Sequence, residues 1–251
     1  MDFSIKKYEA LLSSLINSNV PFQTLDEFLR SAQKRAVILR HDVDIRPENS
    51  LLFAKLQHQA GVAGVYYFRA VPQSWDDRII RQIADMGHEI GYHYECLTTC
   101  HGNLELAIRD FENNLTALRR LAPVTTICMH GSPLSKHDSR DLWKAYSYRD
   151  FGLIGEPYFD IDFRQVAYLT DTGRQWDGRK VSVRDKVPTS AGPSFKTTDS
   201  IIAAVEQGSL PDQIMFTFHP QRWTDHLLPW VKELAFQQVK NMVKRYFYVR
   251  T

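Results

Sequence analysis

The sequence predicts an α/β fold built on a mostly parallel β-sheet. Short apolar runs of strand length recur along the chain, and most are followed by a stretch with helical periodicity. Polar, chemically active side chains also concentrate directly after these apolar runs, beginning with Arg40-His41-Asp42-Val43-Asp44 behind Ala36-Val37-Ile38-Leu39. Repeated strand–helix units favour parallel strands, whose carboxyl ends share one edge of the sheet.

The elements follow one another without a linker, repeat or low-complexity tract, which predicts one domain over residues 1–251. Ser74 and Asp77 predict the cap of the helix that begins near residue 75, and Gly87 predicts its end. The segment 132–165 is irregular, and 171–197, rich in Gly, Pro and Ser, is predicted to be a long loop. The predicted strands are 36–41, 62–69, 88–93, 124–129, 166–169 and 213–218. Two helices, 3–16 and 24–33, are predicted within an N-terminal helical segment 1–34. The other predicted helices are 48–60, the helix that begins near 75 and ends at Gly87, 103–121, 198–207 and 226–244.

Composition excludes several classes of protein. The chain of 251 residues is 43% hydrophobic and 24% charged, which is ordinary for a globular protein. Its net charge of +2 gives no electrostatic case for nucleic acid or an anionic membrane as the main partner. Residues 1–20 have an amphipathic pattern rather than that of a signal peptide, and no transmembrane segment is predicted. The chain has three cysteines, which cannot all pair with one another. The unpaired cysteine and the missing signal pattern together predict a cytoplasmic location.

Two carboxylates follow the first predicted strand. In extended chain Asp42 and Asp44, at positions i and i+2, point to the same face at the active edge of the sheet. Close carboxylates repel one another unless a cation, a proton or hydrogen bonds offset the repulsion, which indicates a metal ligand beside a general base. The structural alternative is that Asp44 only caps the helix that Pro47 begins.

Two histidines end other predicted strands at the same edge. His93 closes Gly87-His88-Glu89-Ile90-Gly91-Tyr92-His93, and imidazole with carboxylate is a common donor set for zinc. His219 follows the apolar strand 213–218, and histidine is a residue type suited to general-acid catalysis. Each histidine alone also fits a purely structural role, in the second case within the turn that Pro220 opens.

The order of these motifs resembles that of the polysaccharide deacetylases, the NodB-like superfamily of carbohydrate esterases, over about residues 36–223. The resemblance implies a distorted (β/α) barrel of about seven mostly parallel strands. It implies Asp42 as general base, Asp44 and His93 as ligands of one divalent metal ion, with zinc the first candidate, and His219 as general acid. The reaction implied is hydrolysis of an N-acyl group, above all N-acetyl, on an amino sugar.

The chain departs from the family pattern at the third metal ligand. The family has a second histidine four residues after the first, where this chain has Leu97. Glu95 is predicted as the third ligand because in extended chain it shares a face with His93. His101 and His130 are the other candidates. The family's Arg-x-Pro motif is also replaced, by Met129-His130-Gly131-Ser132-Pro133.

Arg-His-Asp-Val-Asp, His-Gly-Ser-Pro and the segment 171–176 resemble a divergent branch associated with bacterial surface-polysaccharide, notably O-antigen (lipopolysaccharide), gene clusters. The implied substrate is a nucleotide-linked, lipid-linked or polymeric amino sugar. The predicted substrate-binding residues are His130, Asp171, Arg174, Trp176 and Arg222. Charged loop residues of this kind are also commonly just solvated.

The sequence leaves open whether Asp42 pairs with Arg40 or with His219.

Three rival hypotheses remain open at this stage. The first is a sugar-binding module that has lost the metal, and the second is a metal-free hydrolase of another C–N bond that uses the same Asp and His residues. The third is a structural zinc protein, because His93, Cys96, Cys100 and His101 form His-x2-Cys-x3-Cys-His.

Overall fold

A six-stranded parallel sheet forms the centre of the molecule. The computed structural model describes residues 1–132, 135–176, 187 and 194–247. Within these ranges the strand order is β4-β3-β2-β1-β6-β5, and the sheet curls into a half-barrel. The predicted distorted (β/α) barrel is therefore confirmed, with six strands described where about seven are predicted. The strands are β1 (Ala36–Val43), β2 (Val65–Phe68), β3 (Glu89–Tyr94), β4 (Ile127–Met129), β5 (Ala167–Thr170) and β6 (Gln213–Phe218).

The two faces of the sheet have different surroundings. On the outer face, side chains such as Leu39, Phe68 and Tyr92 pack into the larger apolar cluster, together with the surrounding helices. On the inner face, Ile38 and Tyr67 belong to a second cluster that includes residues of the second helix and of the segment 161–166. Alternate residues of a strand point to opposite faces, so the polar residues that continue the inner rows point into the barrel.

The helices surround the sheet much as the sequence predicts. Thr24 caps α2 with a reciprocal capping box to Glu27. The predicted cap of α4 was wrong: Asp76, not Ser74, accepts a hydrogen bond from the backbone N–H of Ile79 at 2.9 Å. The Ser74 hydroxyl instead donates to the backbone carbonyl of Val43. The helices are α1 (Ile5–Asn17), α2 (Leu25–Arg30), α3 (Pro47–Gln59), α4 (Asp77–Asp85), α5 (Cys96–Thr99), α6 (Leu104–Arg119), α7 (Pro157–Asp160), α8 (Thr198–Glu206) and α9 (Leu227–Phe247).

The irregular regions contain only short helical turns. Two 3₁₀ turns, Ser139–Lys144 and Tyr148–Phe151, lie between β4 and α7. Another, Thr172–Arg174, follows β5, and the rest of the predicted loop 171–197 falls largely outside the described residues. Within the described ranges, none of the helices combines the length and apolar character needed to cross a bilayer.

Candidate active site

Strand β1 delivers two carboxylates to the carboxyl edge of the sheet. Asp42 is the last residue of β1 on the face that points into the barrel, and Asp44 is the first residue after the strand. The Arg40 guanidinium, two residues earlier on the same face, donates to both oxygens of Asp42, from Nε at 2.8 Å and Nη2 at 2.7 Å. Of the two partners that the sequence leaves open, Asp42 therefore pairs with Arg40. A planar guanidinium fits a carboxylate in this bidentate manner.

Strands β3 and β4 bring two histidines to the same place. In their parallel register His93 pairs with Cys128 and Tyr94 with Met129. The backbone N–H of His130 donates to the carbonyl of Tyr94 at 2.8 Å, so the pairing extends one residue beyond β4. His93 and His130 consequently lie side by side, with ring centroids 5.1 Å apart.

Asp44, His93 and His130 form a group that can hold a metal ion. Oδ1 of Asp44 lies 3.7 Å from Nε2 of His93 and 3.4 Å from Nε2 of His130. One donor atom from each residue lies within 4.8 Å of the other two. Oδ1 of Asp44 is buried and has no hydrogen-bonding partner among the described residues. A buried carboxylate oxygen without a partner is costly, so this arrangement fits a divalent cation.

Both imidazoles are held in the tautomer that a metal ligand needs. Nδ1 of His93 lies 2.9 Å from the backbone carbonyl of Cys128, and Nδ1 of His130 lies 3.0 Å from Oε2 of Glu95. These acceptors place the proton on Nδ1 and leave the Nε2 lone pairs directed at Asp44. Burial lowers the pKa of His93 to about 4, so its ring is neutral at pH 7.

Glu95, predicted as the third ligand, lies one step outside this group. Its Oε1 accepts a hydrogen bond from Nε of Arg69 at 2.8 Å, and its Oε2 faces His130. Although burial opposes ionisation, the hydrogen bond from His130 and the charge of Arg69 lower the pKa of Glu95 to about 2. The structure therefore groups His130, not Glu95, with Asp44 and His93.

His219 faces the cluster from the neighbouring strand β6. Its Nδ1 lies 2.6 Å from Oδ1 of Asp171, and its backbone N–H donates to Oδ2 of the same carboxylate at 2.9 Å. Nε2 of His219 lies 3.9 Å from Oδ2 of Asp44. Asp171 thus fixes the ring, and Nε2 is the nitrogen that faces the candidate metal site.

Asp171 is fully buried and is surrounded by donors. In addition to His219, Nη1 of Arg222 donates to it at 3.1 Å and Nε1 of Trp223 at 2.6 Å. Burial opposes its ionisation, but the facing His219 and Arg222 hold its pKa below the usual range. The prediction that Asp171 and Arg222 bind substrate is not supported by these contacts, because both side chains are engaged with one another and with His219.

Arg174 and Trp176, also predicted to bind substrate, lie in the core. The guanidinium carbon of Arg174 lies 5.2 Å from the ring centre of Phe3 and 4.9 Å from that of Trp230. Trp176 is 2% exposed, and its Nε1 donates to Oγ1 of Thr198 at 2.9 Å. N-terminal and C-terminal segments cover both side chains, so these contacts do not support the prediction that Arg174 and Trp176 bind substrate.

The cysteine motif does not assemble into a structural zinc site. Cys96 is buried in the outer apolar cluster, and the metal-competent groups among the described residues include neither Cys96, Cys100 nor His101. A second such group does exist, formed by Asp42, His93 and Cys128. Arg40 already neutralises Asp42 there, so this group is the poorer cation site.

Sequence reasoning missed two residues that shape the site. Nε2 of Gln221 donates to Oδ2 of Asp44 at 3.2 Å, and Nη1 of Arg69 donates to the backbone carbonyl of Asp44 at 3.2 Å. Both follow strands that end at the active edge, β6 and β2. Their position after a strand could have identified them from the sequence, because the other site residues also lie at or just after the ends of strands.

No protein-family model and no curated protein sequence matches the chain. Solved structures do resemble it. A CE4 esterase from Streptococcus mutans is 14% identical, with a TM-score of 0.45 over 89% of this chain and 88% of that one. A family 4 carbohydrate esterase from Streptomyces lividans, in complex with acetate, is 13% identical, with a TM-score of 0.41 over 82% and 88%. A CE4 family pseudoenzyme from Bacillus anthracis is 14% identical, with a TM-score of 0.43 over 85% and 64%.

Proposed function

We propose that this chain is a divalent-metal-dependent hydrolase that removes an N-acyl group, N-acetyl first, from an amino sugar. The observation that carries the proposal is the unpartnered, buried Oδ1 of Asp44 between the Nε2 atoms of His93 and His130. One carboxylate and two imidazoles form a three-residue set that leaves a position open for substrate, as catalytic zinc sites do.

Two pairs of residues around this set, Asp42 with Arg40 and His219 with Asp171, support hydrolysis rather than metal storage. When bound, a divalent ion supplies Lewis acidity, which polarises an amide carbonyl and lowers the pKa of a water from about 15.7 to about 7. Asp42 is the acceptor for the proton of the attacking water. Burial opposes its ionisation, but Arg40 holds the pKa of Asp42 well below its usual range. Asp42 is consequently a weak base. It can accept a proton only from a water whose pKa has already been lowered, as a bound divalent ion would do.

His219 completes the proton balance. An amine leaves only if it gains a proton, and His219 is placed to donate one from Nε2 because Asp171 occupies its Nδ1. Asp171 also stabilises the imidazolium that must exist before this transfer. Asp42 and His219 therefore have opposite roles, and their separate partners, Arg40 and Asp171, keep those roles apart.

The finer assignments rest on the motif resemblance and on composition. We infer a substrate from bacterial surface-polysaccharide synthesis, with O-antigen the first candidate, carried on a nucleotide, a lipid or a polymer. We also infer a cytoplasmic location and zinc as the first candidate metal.

The first experiment measures metal content and turnover together. Metal-free protein is reloaded with zinc, cobalt or manganese and assayed on N-acetylated chitooligosaccharide and on a nucleotide-linked N-acetylamino sugar. We expect about one ion per chain in the wild type and none in Asp44→Ala. Asp42→Asn should keep the ion and lose about 10²- to 10⁴-fold in kcat, the usual contribution of a general base.

Other outcomes identify the rivals. Turnover that survives chelation would establish a metal-free hydrolase. Sugar binding with no metal and no turnover would establish a binding module. Zinc retained in Asp44→Ala and lost in Cys96→Ala would establish a structural zinc protein.

A further inference from the structure

The C-terminal helix α9 exposes an unusual amount of apolar surface. Of the thirteen exposed large hydrophobic residues among the described residues, six lie on α9. They are Leu227, Leu228, Val231, Phe236, Val239 and Met242, between 48% and 75% exposed. Four of them, Leu228, Val231, Val239 and Met242, share one side of the helix, and soluble proteins rarely leave an apolar face of this kind in water unless it binds something.

The side of α9 that faces its own domain is the more polar one. Gln237 and Asn241 are buried there, and Nδ2 of Asn241 donates to the carbonyl of Gly173 at 2.8 Å. Nε1 of Trp230 donates to the carbonyl of Asp2 at 2.7 Å. A helix normally turns its apolar stripe to the core, so α9 is built to contact the domain on one side and another surface on the other.

The apolar stripe is symmetric along the sequence. Its members Leu228, Val231, Ala235, Val239 and Met242 lie at −7, −4, 0, +4 and +7 from Ala235. These intervals of three and four keep all five on one side of the helix. A two-fold axis at Ala235 would therefore place Val231 against Val239 of a second copy and Leu228 against Met242. The smallest side chain lies where two such helices cross most closely.

We propose that α9 is the interface of a two-fold symmetric homodimer, in which two copies of the helix pack antiparallel about Ala235. A two-fold interface requires a self-complementary surface, and the spacing of the stripe has this property.

The charges are compatible with this register. Lys232 comes opposite Gln238, Glu233 opposite Gln237, and Lys240 opposite Trp230. Among the described side chains of α9, residues 227–242, no two like charges are directly opposed. An anionic membrane is the weaker candidate for this face. Among residues 227–242 of α9, whose side chains the structure describes, Lys232 and Lys240 are the exposed charged residues.

Sedimentation velocity on the full chain gives the first test. The wild type should sediment as a species of twice 29.1 kDa, and Val239→Glu should sediment as a monomer with an unchanged circular-dichroism spectrum. Leu106→Glu is the matched control, because Leu106 is 53% exposed on α6, and it should remain dimeric. A monomeric wild type at 100 µM, or a Val239→Glu dimer, would overturn the proposal. So would a monomer that pellets with vesicles of phosphatidylglycerol, since a lipid surface would then be the partner.

Cross-linking tests the antiparallel register itself. In a Cys100→Ser background, Val231→Cys and Val239→Cys are treated with a short bismaleimide, separately and mixed. Only the mixture should give a covalent dimer, because position 231 faces 239 across the axis. Dimer formation by Val231→Cys alone would indicate parallel helices and would contradict the proposed arrangement.

Discussion

Two carboxylates two residues apart on one chain have different roles because their partners differ. Asp42 is 4% exposed, and both its oxygens are held by Arg40, so it keeps a negative charge inside the barrel. Oδ1 of Asp44 accepts no hydrogen bond from the described residues, and it faces two imidazole nitrogens. The first carboxylate is thus fixed by the protein, whereas the second leaves a position that a cation fits.

The roles of His130 and Glu95 can be separated by substitution. We expect His130→Ala to abolish stoichiometric metal binding, because it removes a direct ligand. Glu95→Gln should keep the ion with about 10- to 100-fold weaker affinity, because it only weakens the orientation of His130. Competition with a chromophoric chelator measures both affinities without a substrate. Loss of the ion in Glu95→Gln, with retention in His130→Ala, would restore Glu95 as the ligand.

Asp171 should act through His219 rather than on the substrate. Asp171→Asn is expected to lower kcat by about 10²- to 10⁴-fold, since the imidazole loses both its orientation and the stabilisation of its charged form. Metal content should not change. Asp162→Asn is the control, because Asp162 pairs with the exposed Arg164 at 2.8 Å and lies in no site. A rise in KM with an unchanged kcat would instead indicate that Asp171 binds substrate.

At the scale of elements, the side chains on the inner face of the sheet explain why strand β3 has a glycine at position 91. A Cβ on Gly91 would lie 2.2 Å from Cε1 of Tyr67 and 3.1 Å from the carbonyl oxygen of Thr126. Strand β3 therefore passes directly under the Tyr67 ring, and Arg40 lies 5.8 Å from the centre of that ring. The glycine allows the ring to occupy the interior beside the Arg40–Asp42 pair.

Gly91→Ala should destabilise the fold through this contact. Forcing a methyl group against a packed ring costs about 1–3 kcal/mol in the free energy of unfolding. Tyr67→Val removes the ring and should be destabilising by itself, yet in its presence Gly91→Ala should cost less. Urea denaturation of the two single variants and the double variant measures this coupling. Strictly additive costs would show that the ring is not the obstacle.

The sequence was sufficient to predict the six strands, because most of them are apolar runs of strand length followed by a helix pattern. It also predicted Asp42, Asp44, His93 and His219 at one edge, since parallel strands end together. It did not select His130 as the neighbour of His93. That choice depends on the pairing of His93 with Cys128, which joins strands separated by α5 and α6. Local spacing favoured Glu95 instead, since only residues near His93 in sequence enter such an argument.

Arg174 and Trp176 illustrate a second limit. Their segment is rich in turn formers and polar residues, so it was predicted to be an exposed loop. In the structure the N-terminal Phe3 stacks on Trp176 with ring centroids 6.0 Å apart, and α9 covers Arg174. Burial by segments from both ends of the chain cannot be deduced from the composition of the loop itself.

At the scale of the whole molecule, two acidic side chains outside the candidate site are removed from water, Glu156 fully and Glu89 in part. Glu156 is fully buried and accepts hydrogen bonds from the backbone N–H groups of Met129 and Tyr158. Burial nevertheless raises its pKa to about 7. Glu89, near the opposite end of β3, also has a pKa raised by burial to about 7. These carboxyls link folding to pH independently of the metal ligands.

The sign of this linkage follows from the proton balance. The ordinary pKa of the Glu156 carboxyl is 4.5, and the folded value is about 7. Between these values the folded chain holds a proton that the unfolded chain has released, so the free energy of unfolding falls as the pH rises. Above about pH 7 both states are ionised and this contribution stays constant. A shift of this size corresponds to a loss on the order of 3 kcal/mol for a fully buried carboxyl.

Buried neutral imidazoles such as His93 change stability in the opposite direction below about pH 6.5, but they do so equally in the wild type and in Glu156→Gln. We therefore expect the stability of the wild type relative to Glu156→Gln to decline between pH 5 and about pH 7, with the variant less stable at pH 5 because the amide replaces one acceptor oxygen. Glu206→Gln, at an exposed position on α8, should keep the full slope. Urea titrations with a chelator present remove proton release linked to metal binding. An unchanged slope in Glu156→Gln would mean that Glu156 is already ionised in the folded protein at pH 5, and its burial would then be offset by its hydrogen bonds alone.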